Sequence, residues 1–470
     1  MALDRVKLGF APTRRNLFSA PDAIKYANLT RDKLHALDVE FVDITEINED
    51  GLLYDDEGVE SIAEKFTAEK VDGLFLPHCN FGTEYACARL AKRLNVPVLL
   101  WGPRDERPED DGSRLRDSQC GLFATGKVLR RFQVPFTYMK NCRLDDPEFE
   151  RGVNDFLKVC NVVKVFKSMR ILQIGPRPFD FWSIMCNEGE LLEKFNIQLS
   201  PIPLGELYKE MNHVQTMETA KVQSVIDFCH THTHVEISEQ ALKKIATLKV
   251  ALKNLGEKYQ CSAGVIQCWT DFQDELGITP YAVEAILQDE GFPVLCETDI
   301  HGAITTLMTD AATRNEYRSM FADYTVRHPD NENGELLQHL GVFPLSTAEQ
   351  KPTLIPSHFV FDFPGSVGME AKKGEMTLCR FDGDNGEYSL LIGNAKGIDG
   401  PYNQGSYVWI EVENLNRLES KLVYGPYIHH CSAIHSNVVP VLYEACKYLG
   451  ITPDFFDPIE EDVKAYLRGD

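Results

Sequence analysis

The chain lacks features that mark several large classes of protein. No run of about 18 apolar residues occurs, so a membrane span is not expected. Lys and Arg number 48 against 71 Asp and Glu, and no strongly basic stretch is visible, which argues against a nucleic-acid-binding surface. Neither Gly-x-Gly-x-x-Gly after the first strand nor Gly-x-x-x-x-Gly-Lys-Ser/Thr is present, so a dinucleotide or P-loop nucleotide site is disfavoured.

The spacing of the cysteines argues against two further kinds of site. No two of the 13 cysteines are spaced as Cys-x-x-Cys, which argues against structural zinc and thioredoxin-like redox sites. Their odd number and apolar surroundings are typical of free thiols in a reducing compartment. The start of the chain has no long apolar signal core. We therefore expect a cytoplasmic protein.

What is present is a regular alternation of strand and helix patterns. At 470 residues, the chain is long enough for two or three domains. Apolar segments such as Val6–Ala11 and Gly73–Pro77 alternate with helical patterns, and the rhythm restarts at Met169–Ile174. It predicts parallel sheets with helices on both faces. We expect two tandem doubly wound (Rossmann-like) α/β domains, at residues 1–165 and 166–345.

The character of the sequence changes after Leu345. Helix patterns disappear until Val438–Leu449, and short strand patterns separated by Gly, Asp and Asn turns replace them. These features predict a mostly β third domain at residues 346–470, closed by a terminal helix.

Two carboxylates follow short apolar runs in the second predicted domain. Glu297 follows Val294–Cys296, and Asp323 follows Met320–Ala322. A buried strand that delivers a side chain into a cleft has this pattern, and a charge there is costly unless it is paired or bound to a metal. Such a pair can act as general acid and base, or can ligate a divalent cation. The alternative is that each acid caps a helix or pairs with an arginine.

Histidines supply the candidate nitrogen ligands. The densest cluster is His429, His430 and His435, after a Gly-Pro turn. Because adjacent residues of an extended segment point to opposite sides, only one of His429 and His430 is expected to face a metal directly. His339 could return to the same cleft or be a hydrogen-bonded structural residue. The His-Thr-His-Thr-His stretch at 230–234 has the look of a zinc motif, but it lies where loops are usual, and we expect surface histidines there.

Arginines cluster just past the ends of two predicted strands, where open α/β sheets bind ligands. One cluster is Arg14-Arg15, and the other lies within Trp101–Asp117. Arginine forks suit anions and polyols, although an ion-pair network with nearby acids is the alternative. The candidate substrate-binding residues are Arg14, Arg15, Arg107 and Arg114, then Gln267 and Trp269 beside the strand pattern Ala263–Gln267, and finally His339 and His429.

Several of these blocks resemble motifs of the L-fucose/L-arabinose isomerase family. Cys296–Ala303 is similar to its Cys-Glu-x-Asp-x-x-Gly-Ala stretch, and Phe321–Asp323 resembles the block with its second acidic ligand. Leu337–Gly341 is similar to its Leu-Trp-His-Cys-Gly block, and Gly425–His430 to its Gly-x-x-His-His block. Thr13–Arg15 looks like its substrate-contacting Arg-Arg. These blocks occur in order over nearly the whole chain, which is more specific than any one of them.

The resemblance implies a fold and an activity. The fold would be two α/β domains followed by a β-barrel-like C-terminal domain. The activity would be Mn²⁺-dependent aldose–ketose isomerisation of a sugar through a cis-enediol. The protein would form homo-oligomers, hexamers or smaller, with active sites shared between subunits. By this carry-over Glu297 and Asp323 are metal ligands and the acid–base pair, and His430 is the third ligand. The aspartate at 323 is as in the fucose-type branch, whereas His339 is similar to the arabinose type.

Three alternatives stay open from the sequence. The arginines would also fit an anionic sugar such as sulfoquinovose, a substrate ascribed to some relatives of this family. Tandem α/β domains also occur in non-catalytic sugar-binding proteins, although these need no buried Glu/Asp/His set. A zinc hydrolase built on the histidines at 230–234 is the third.

Overall fold

The computed structural model describes residues 5–469 and divides into two compact units. The amino-terminal unit is formed by the chain up to Lys164, by Tyr443–Gly450 and by the segment from Glu461 onward. The barrel unit is formed by Val165–Leu442 and Ile451–Glu460. The boundaries of the three predicted domains stay a prediction. None of the helices in the described part of the chain has the length and apolar character that a membrane crossing requires.

The amino-terminal unit contains a parallel sheet of five strands. Its elements are β1 (Lys7–Phe10), α1 (Ala20–Ala36), β2 (Glu40–Val42), α2 (Asp56–Ala68), β3 (Gly73–Pro77), α3 (Glu84–Leu94), β4 (Val98–Trp101), α4 (Ser118–Arg131), β5 (Thr137–Tyr138) and α5 (Pro147–Lys167), the last of which continues into the barrel unit. The strand order is β2-β1-β3-β4-β5. Leu74 and Leu76 of β3 pack into one apolar cluster and Phe75 into another, so helices cover both faces of the sheet.

The barrel unit begins with a second parallel sheet of four strands. Its elements are β6 (Arg170–Ile174), α6 (Glu188–Phe195), β7 (Gln198–Ile202), α7 (Leu204–Met217), α8 (Thr219–His232), β8 (His234–Val235), α9 (Glu239–Lys258), β9 (Ala263–Ile266), α10 (Asp271–Leu276), α11 (Tyr281–Asp289), β10 (Val294–Leu295) and α12 (Ile300–Ala312). The order of the four strands in the sheet is β10-β9-β6-β7. Two parallel-sheet, Rossmann-like arrangements are therefore confirmed.

Six of the remaining strands form a closed barrel. The elements are β11 (Met320–Arg327), β12 (Gly334–His339), β13 (Thr353–Ile355), β14 (Ser366–Glu370), β15 (Glu375–Asp384), β16 (Glu387–Ile398), β17 (Ser406–Glu411), α13 (Leu415–Tyr424), β18 (His430–Ile434), α14 (Val439–Leu449), β19 (Thr452–Asp457) and α15 (Glu460–Arg468). Antiparallel pairing runs β16-β15-β18-β11-β12-β17 and returns to β16, which closes the ring and removes its open edges. The expected barrel-like C-terminal sheet is confirmed.

Two features of this part differ from the sequence-based expectation. The barrel includes β11 and β12, which precede the change of composition at Leu345. The expectation of no helix before Val438 is wrong, because α13 lies between β17 and β18. The Asn414 side chain starts that helix by accepting a hydrogen bond from the Arg417 N–H, and Leu418 is buried beneath it.

Candidate active site

Glu297 lies just past the carboxyl end of the parallel strand β10, where open α/β sheets present ligand-binding side chains. It sits in a single helical turn, Cys296–Thr298, with left-handed backbone angles of φ 63° and ψ 11°. Its backbone N–H donates to Cys268 Sγ at 3.3 Å, and its side chain is buried. A left-handed conformation costs a non-glycine residue about 1 kcal/mol or more, and such residues cluster at functional sites.

Two neighbouring barrel strands bring Asp323 and His430 to Glu297. Asp323 on β11 is directly opposite His430 on β18. His430 Nε2 lies 3.1 Å from Glu297 Oε2 and 3.5 Å from Asp323 Oδ1. His339, at the end of β12, places its Nε2 3.8 Å from Asp323 Oδ1. The three residues predicted as metal ligands are therefore close together, with His339 beside them.

The two adjacent histidines differ in their surroundings. His430 opens strand β18 and is fully buried, whereas His429 precedes the strand and is exposed. Ligand atoms of Glu297, His339 and His430 lie within 4.8 Å of one another, and so do those of Asp323, His429 and His430. His430 belongs to both groups and so lies at the centre of the site.

Four buried polar atoms at this point have no hydrogen-bond partner: Glu297 Oε2, Asp323 Oδ1, His339 Nε2 and His430 Nε2. We call them the ligand cluster. The Glu297 and His430 atoms are close, but they are not aligned as a hydrogen bond. An unpaired buried polar group costs about 1–3 kcal/mol, so a partner that meets several of these atoms at once would be stabilising. Carboxylate oxygens and imidazole nitrogens are ligands of divalent metal ions, so the residues present fit a cation.

The electrostatic surroundings favour an anionic Glu297. Burial alone would raise the pKa of its carboxyl group, but the close approach and charge of His430 outweigh burial and hold that pKa below its ordinary value. Burial opposes protonation of His430, yet its contacts with Asp299 and Glu297 raise its pKa to about 10. A divalent cation would compete with that proton, because both need the same lone pair of Nε2.

A buried network of charged residues lies on the Nδ1 side of His430, opposite the Nε2 atom of the ligand cluster. His430 Nδ1 lies 2.8 Å from Asp299 Oδ2, and Asp299 forms a two-pronged ion pair with Arg380. Arg380 also pairs with Asp382, whose Oδ1 lies 2.8 Å from His301 Nδ1. Burial opposes ionisation of Asp299, but Arg380 holds the pKa of its carboxyl group far below the ordinary value. Sequence reasoning missed these supporting residues.

An aromatic wall stands beside the ligand cluster. The Phe181 ring stacks on Trp269 at 6.0 Å between centroids and lies 5.7 Å from His429 and 5.5 Å from His430. Trp269 Nε1 and Gln267 Oε1 are buried without partners, which suits them to the hydroxyl groups of a sugar. Both were predicted as substrate-binding residues. Phe181 was missed, although the aromatic run Phe179-Asp180-Phe181-Trp182 after β6 was a possible signal.

The predicted arginines belong to the amino-terminal unit. Arg14 and Arg15 follow β1 at the point where the strand order of that sheet reverses, which is where such sheets bind ligands. Arg107 is exposed, and Arg114 is largely exposed. Their role in substrate binding stays a prediction. The local partners are Asp50 and Tyr54 for Arg14, Phe81 and Glu84 for Arg15, and Asp117 for Arg114.

The histidines at 230–234 lie on the surface, as expected. His230 and His232 are exposed on the last turn of α8, and His234 is exposed on β8. His230 pairs with Glu239, and His232 stacks on Phe228. The three histidines do not form a metal-binding group in the described part of the chain.

Comparison with known proteins points to sugar isomerases. Residues 9–167 match the family model described as fucose/sulfoquinovose isomerase, N-terminal domain. Sulfoquinovose isomerases from Priestia aryabhattai and Priestia megaterium are each 23% identical over 412 residues, which cover 84% of this chain and 88% of theirs. The chain is therefore similar to the fucose/sulfoquinovose isomerases. The resemblance inferred from the sequence motifs is therefore confirmed.

A third relative extends the comparison. A sulfoquinovose isomerase from Alkalicoccus urumqiensis is 24% identical over 364 residues, which cover 75% of this chain and 79% of its own. Among solved structures, a periplasmic solute-binding protein of an ABC transporter from Actinobacillus succinogenes, with bound D-allose, gives a TM-score of 0.16 at 10% identity. It covers 66% of this chain and 93% of its own, and the likeness is too slight to carry an argument.

Proposed function

We propose that this protein is a divalent-metal-dependent aldose–ketose isomerase that acts on an anionic sugar of the sulfoquinovose type. The observation that carries the proposal is the convergence of four buried, unpartnered ligand atoms in a fucose isomerase-like chain. The relatives named sulfoquinovose isomerase favour the anionic-sugar alternative over a fucose or arabinose substrate. The 13 free cysteines suit a cytoplasmic site of action.

The metal, which we propose to be Mn²⁺, would be held by Glu297, Asp323 and His430. When bound, a divalent cation there would polarise the sugar's oxygens and stabilise the negative charge that develops on them. Glu297 and Asp323 would share the proton transfers, because both carboxylates approach His430 Nε2, at 3.1 Å and 3.5 Å. One carboxylate takes the proton from C2 and returns it to C1, and the other moves the hydroxyl proton from O2 to O1. These two transfers convert an aldose into its ketose through a cis-enediol with no net change in protons or electrons.

The remaining walls of the site would hold the sugar. Phe181 and Trp269 offer ring faces to the apolar C–H surface, while Gln267 offers an unpartnered oxygen to a hydroxyl group. His429 is exposed beside them and can donate to a sugar oxygen. Holding the sugar in one orientation against the carboxylates is itself a large part of the rate gain in such reactions.

We further propose that the arginines bind the anionic group of the sugar. Arg14, Arg15, Arg107 and Arg114 carry the forked charge that suits a sulfonate. By analogy with the family, they would act across subunits of a homo-oligomer, hexameric or smaller, with the amino-terminal unit of one copy completing the site of another. Size measurement in solution tests the oligomer, and a monomer with full activity would contradict it.

The test of the activity is ketose formation with added Mn²⁺, with and without EDTA. The panel is sulfoquinovose, L-fucose, D-arabinose, L-arabinose, D-altrose and glucose 6-phosphate. We expect EDTA-sensitive conversion, fastest for sulfoquinovose. Preference for a neutral sugar would overturn the substrate, and full activity in EDTA would overturn the metal. Sugar binding without conversion of any sugar would favour a non-catalytic binding protein.

A further inference from the structure

Three segments that are far apart in sequence meet behind the ligand cluster. Asp299 is the N-cap residue of α12, Arg380 lies on β15, and His430 opens β18, which is paired with β15. Asp299 is 0% exposed, and so are Arg380 and His430. Burying this many ionisable groups is costly, and a network that a fold keeps despite that cost is a candidate for a functional role.

We propose that Arg380 is a positioning residue that, through Asp299, holds the His430 ring so that its Nε2 lone pair faces the metal. This inference rests on the proposed function, since it concerns the same metal. It assigns a role to Arg380 and Asp382, neither of which touches the ligand cluster directly.

The contacts of Asp299 explain why Arg380 controls its orientation. Asp299 Oδ1 accepts hydrogen bonds from the Gly302 N–H at 2.9 Å and from Arg380 Nη2 at 3.1 Å. Asp299 Oδ2 accepts from Arg380 Nη1 and from His430 Nδ1. The helix start and the guanidinium fork thus fix the plane of the carboxylate, and one oxygen is left aimed at the imidazole.

The chemistry of a carboxylate then decides the tautomer of His430. An ionised carboxylate only accepts hydrogen bonds, so the neutral imidazole must carry its proton on Nδ1. Nε2 is then unprotonated and can ligate a metal, as in other sites where a carboxylate orients a metal-binding histidine. An amide at position 299 could instead donate to Nδ1 and favour the tautomer that cannot ligate.

Asp382 fixes the other edge of the guanidinium group. Its Oδ2 accepts from Arg380 Nε at 2.9 Å and lies 2.8 Å from Nη2, while its Oδ1 meets His301 Nδ1. Arg380 therefore bridges two carboxylates with two edges of one rigid plane. A lysine would keep the charge but lose this geometry, because its ammonium group is a point charge on a flexible stem.

The experiment measures Mn²⁺ affinity from the free-ion signal in electron paramagnetic resonance, together with the melting temperature of each protein. The variants are Arg380→Lys, Asp299→Asn and the milder Asp382→Asn. The matched control is Asp310→Asn, because Asp310 is another buried aspartate of α12 that pairs with an arginine and with Ser319, but lies outside the network.

We expect Arg380→Lys and Asp299→Asn to weaken Mn²⁺ binding about 10-fold or more, and Asp382→Asn to do so to a smaller extent. Asp310→Asn should lower the melting temperature and leave Mn²⁺ affinity unchanged. Folded Arg380→Lys protein with wild-type affinity would overturn the inference, and so would an equal loss of affinity in Asp310→Asn. If Arg380→Lys does not fold, the Mn²⁺ affinities of Asp382→Asn and Asp299→Asn decide whether the inference holds.

The inference and the proposed function fail separately. If the wild-type protein binds Mn²⁺ tightly but converts no sugar, the proposed isomerase activity is wrong. The comparison of Mn²⁺ affinities would still test the role of Arg380. Wild-type protein that converts sugar normally while Arg380→Lys keeps full affinity would leave the isomerase and reject the positioning role. Wild-type protein without Mn²⁺ affinity would overturn the inference.

Discussion

Replacing Glu284 by glutamine should make the barrel unit more stable than the wild type at alkaline pH, and not at acid pH. Glu284 lies on α11 and is 0% exposed. Its Oε2 lies 2.8 Å from the Sγ of Cys296, the residue before Glu297, and its Oε1 has no partner. Burial raises the pKa of Glu284 from the ordinary 4.5 to about 8, so the folded protein holds this carboxyl group uncharged at neutral pH.

The direction of this change in stability with pH follows from the raised pKa of Glu284. The uncharged buried form contributes its full stability below the unfolded pKa near 4.5, and that contribution is lost as the pH rises toward 8. Each pH unit between these values costs about 1.4 kcal/mol, so between pH 5 and pH 8 the wild type should lose about 3 kcal/mol relative to the glutamine variant. For a unit of this size that is a shift in melting temperature of about 6 °C.

The assay is thermal unfolding of both proteins at pH 5, 6, 7 and 8 in EDTA, which keeps the metal state constant. The difference between the two melting temperatures should grow steadily in favour of Glu284→Gln as the pH rises. Glu275→Gln, a change at an exposed glutamate of the same unit, should run parallel to the wild type. Parallel curves for Glu284→Gln and the wild type would refute the reasoning, because they would mean that Glu284 has the same affinity for its proton in both states.

Three further predictions concern the site itself. Glu297→Gln should keep the melting temperature within a few degrees but lower turnover at least about 100-fold, since a ligand and acid–base group is lost; turnover near the wild-type value removes Glu297 from the mechanism. Phe181→Leu should raise KM several-fold with little change in kcat, whereas Phe179→Leu, at a position 90% exposed, should change neither; equal effects at both positions would argue against the aromatic wall. Arg107→Ala and Arg114→Ala should harm turnover of an anionic sugar far more than that of a neutral one, and an equal loss on both sugars would argue against an anion-binding role.

Glu297, Asp323 and His430 could be singled out from the sequence because each carries a local signal. Glu297 and Asp323 are acids directly after apolar strand patterns, and His430 follows a turn before another apolar segment. The residues of the supporting charge network, such as Arg380, carry almost no local sequence signal. The role of Arg380 depends on the pairing of β15 with β18 and on the start of α12, which are non-local contacts. A charge within the apolar run Leu378–Phe381 was the available hint, because buried charges require partners.

The fold, too, was predicted where local sequence patterns determine it and missed where it depends on contacts between distant segments. Alternating strand and helix patterns predicted both parallel sheets, since each element carries its own periodicity. The barrel was harder, because its closure depends on the pairing of β16 with β17 and no short segment reveals that contact. Helix α13 escaped notice because it spans only Leu415–Tyr424 within a strand-rich region, and most of its surface is solvated.

The most direct test of the central claim is anomalous diffraction at the manganese edge from crystals of the protein grown with Mn²⁺. We expect one strong peak among Glu297 Oε2, Asp323 Oδ1 and His430 Nε2, and loss of that peak in Glu297→Gln crystals. A peak at another set of residues, or no peak at saturating Mn²⁺, would contradict the claim that the ligand cluster is a metal site.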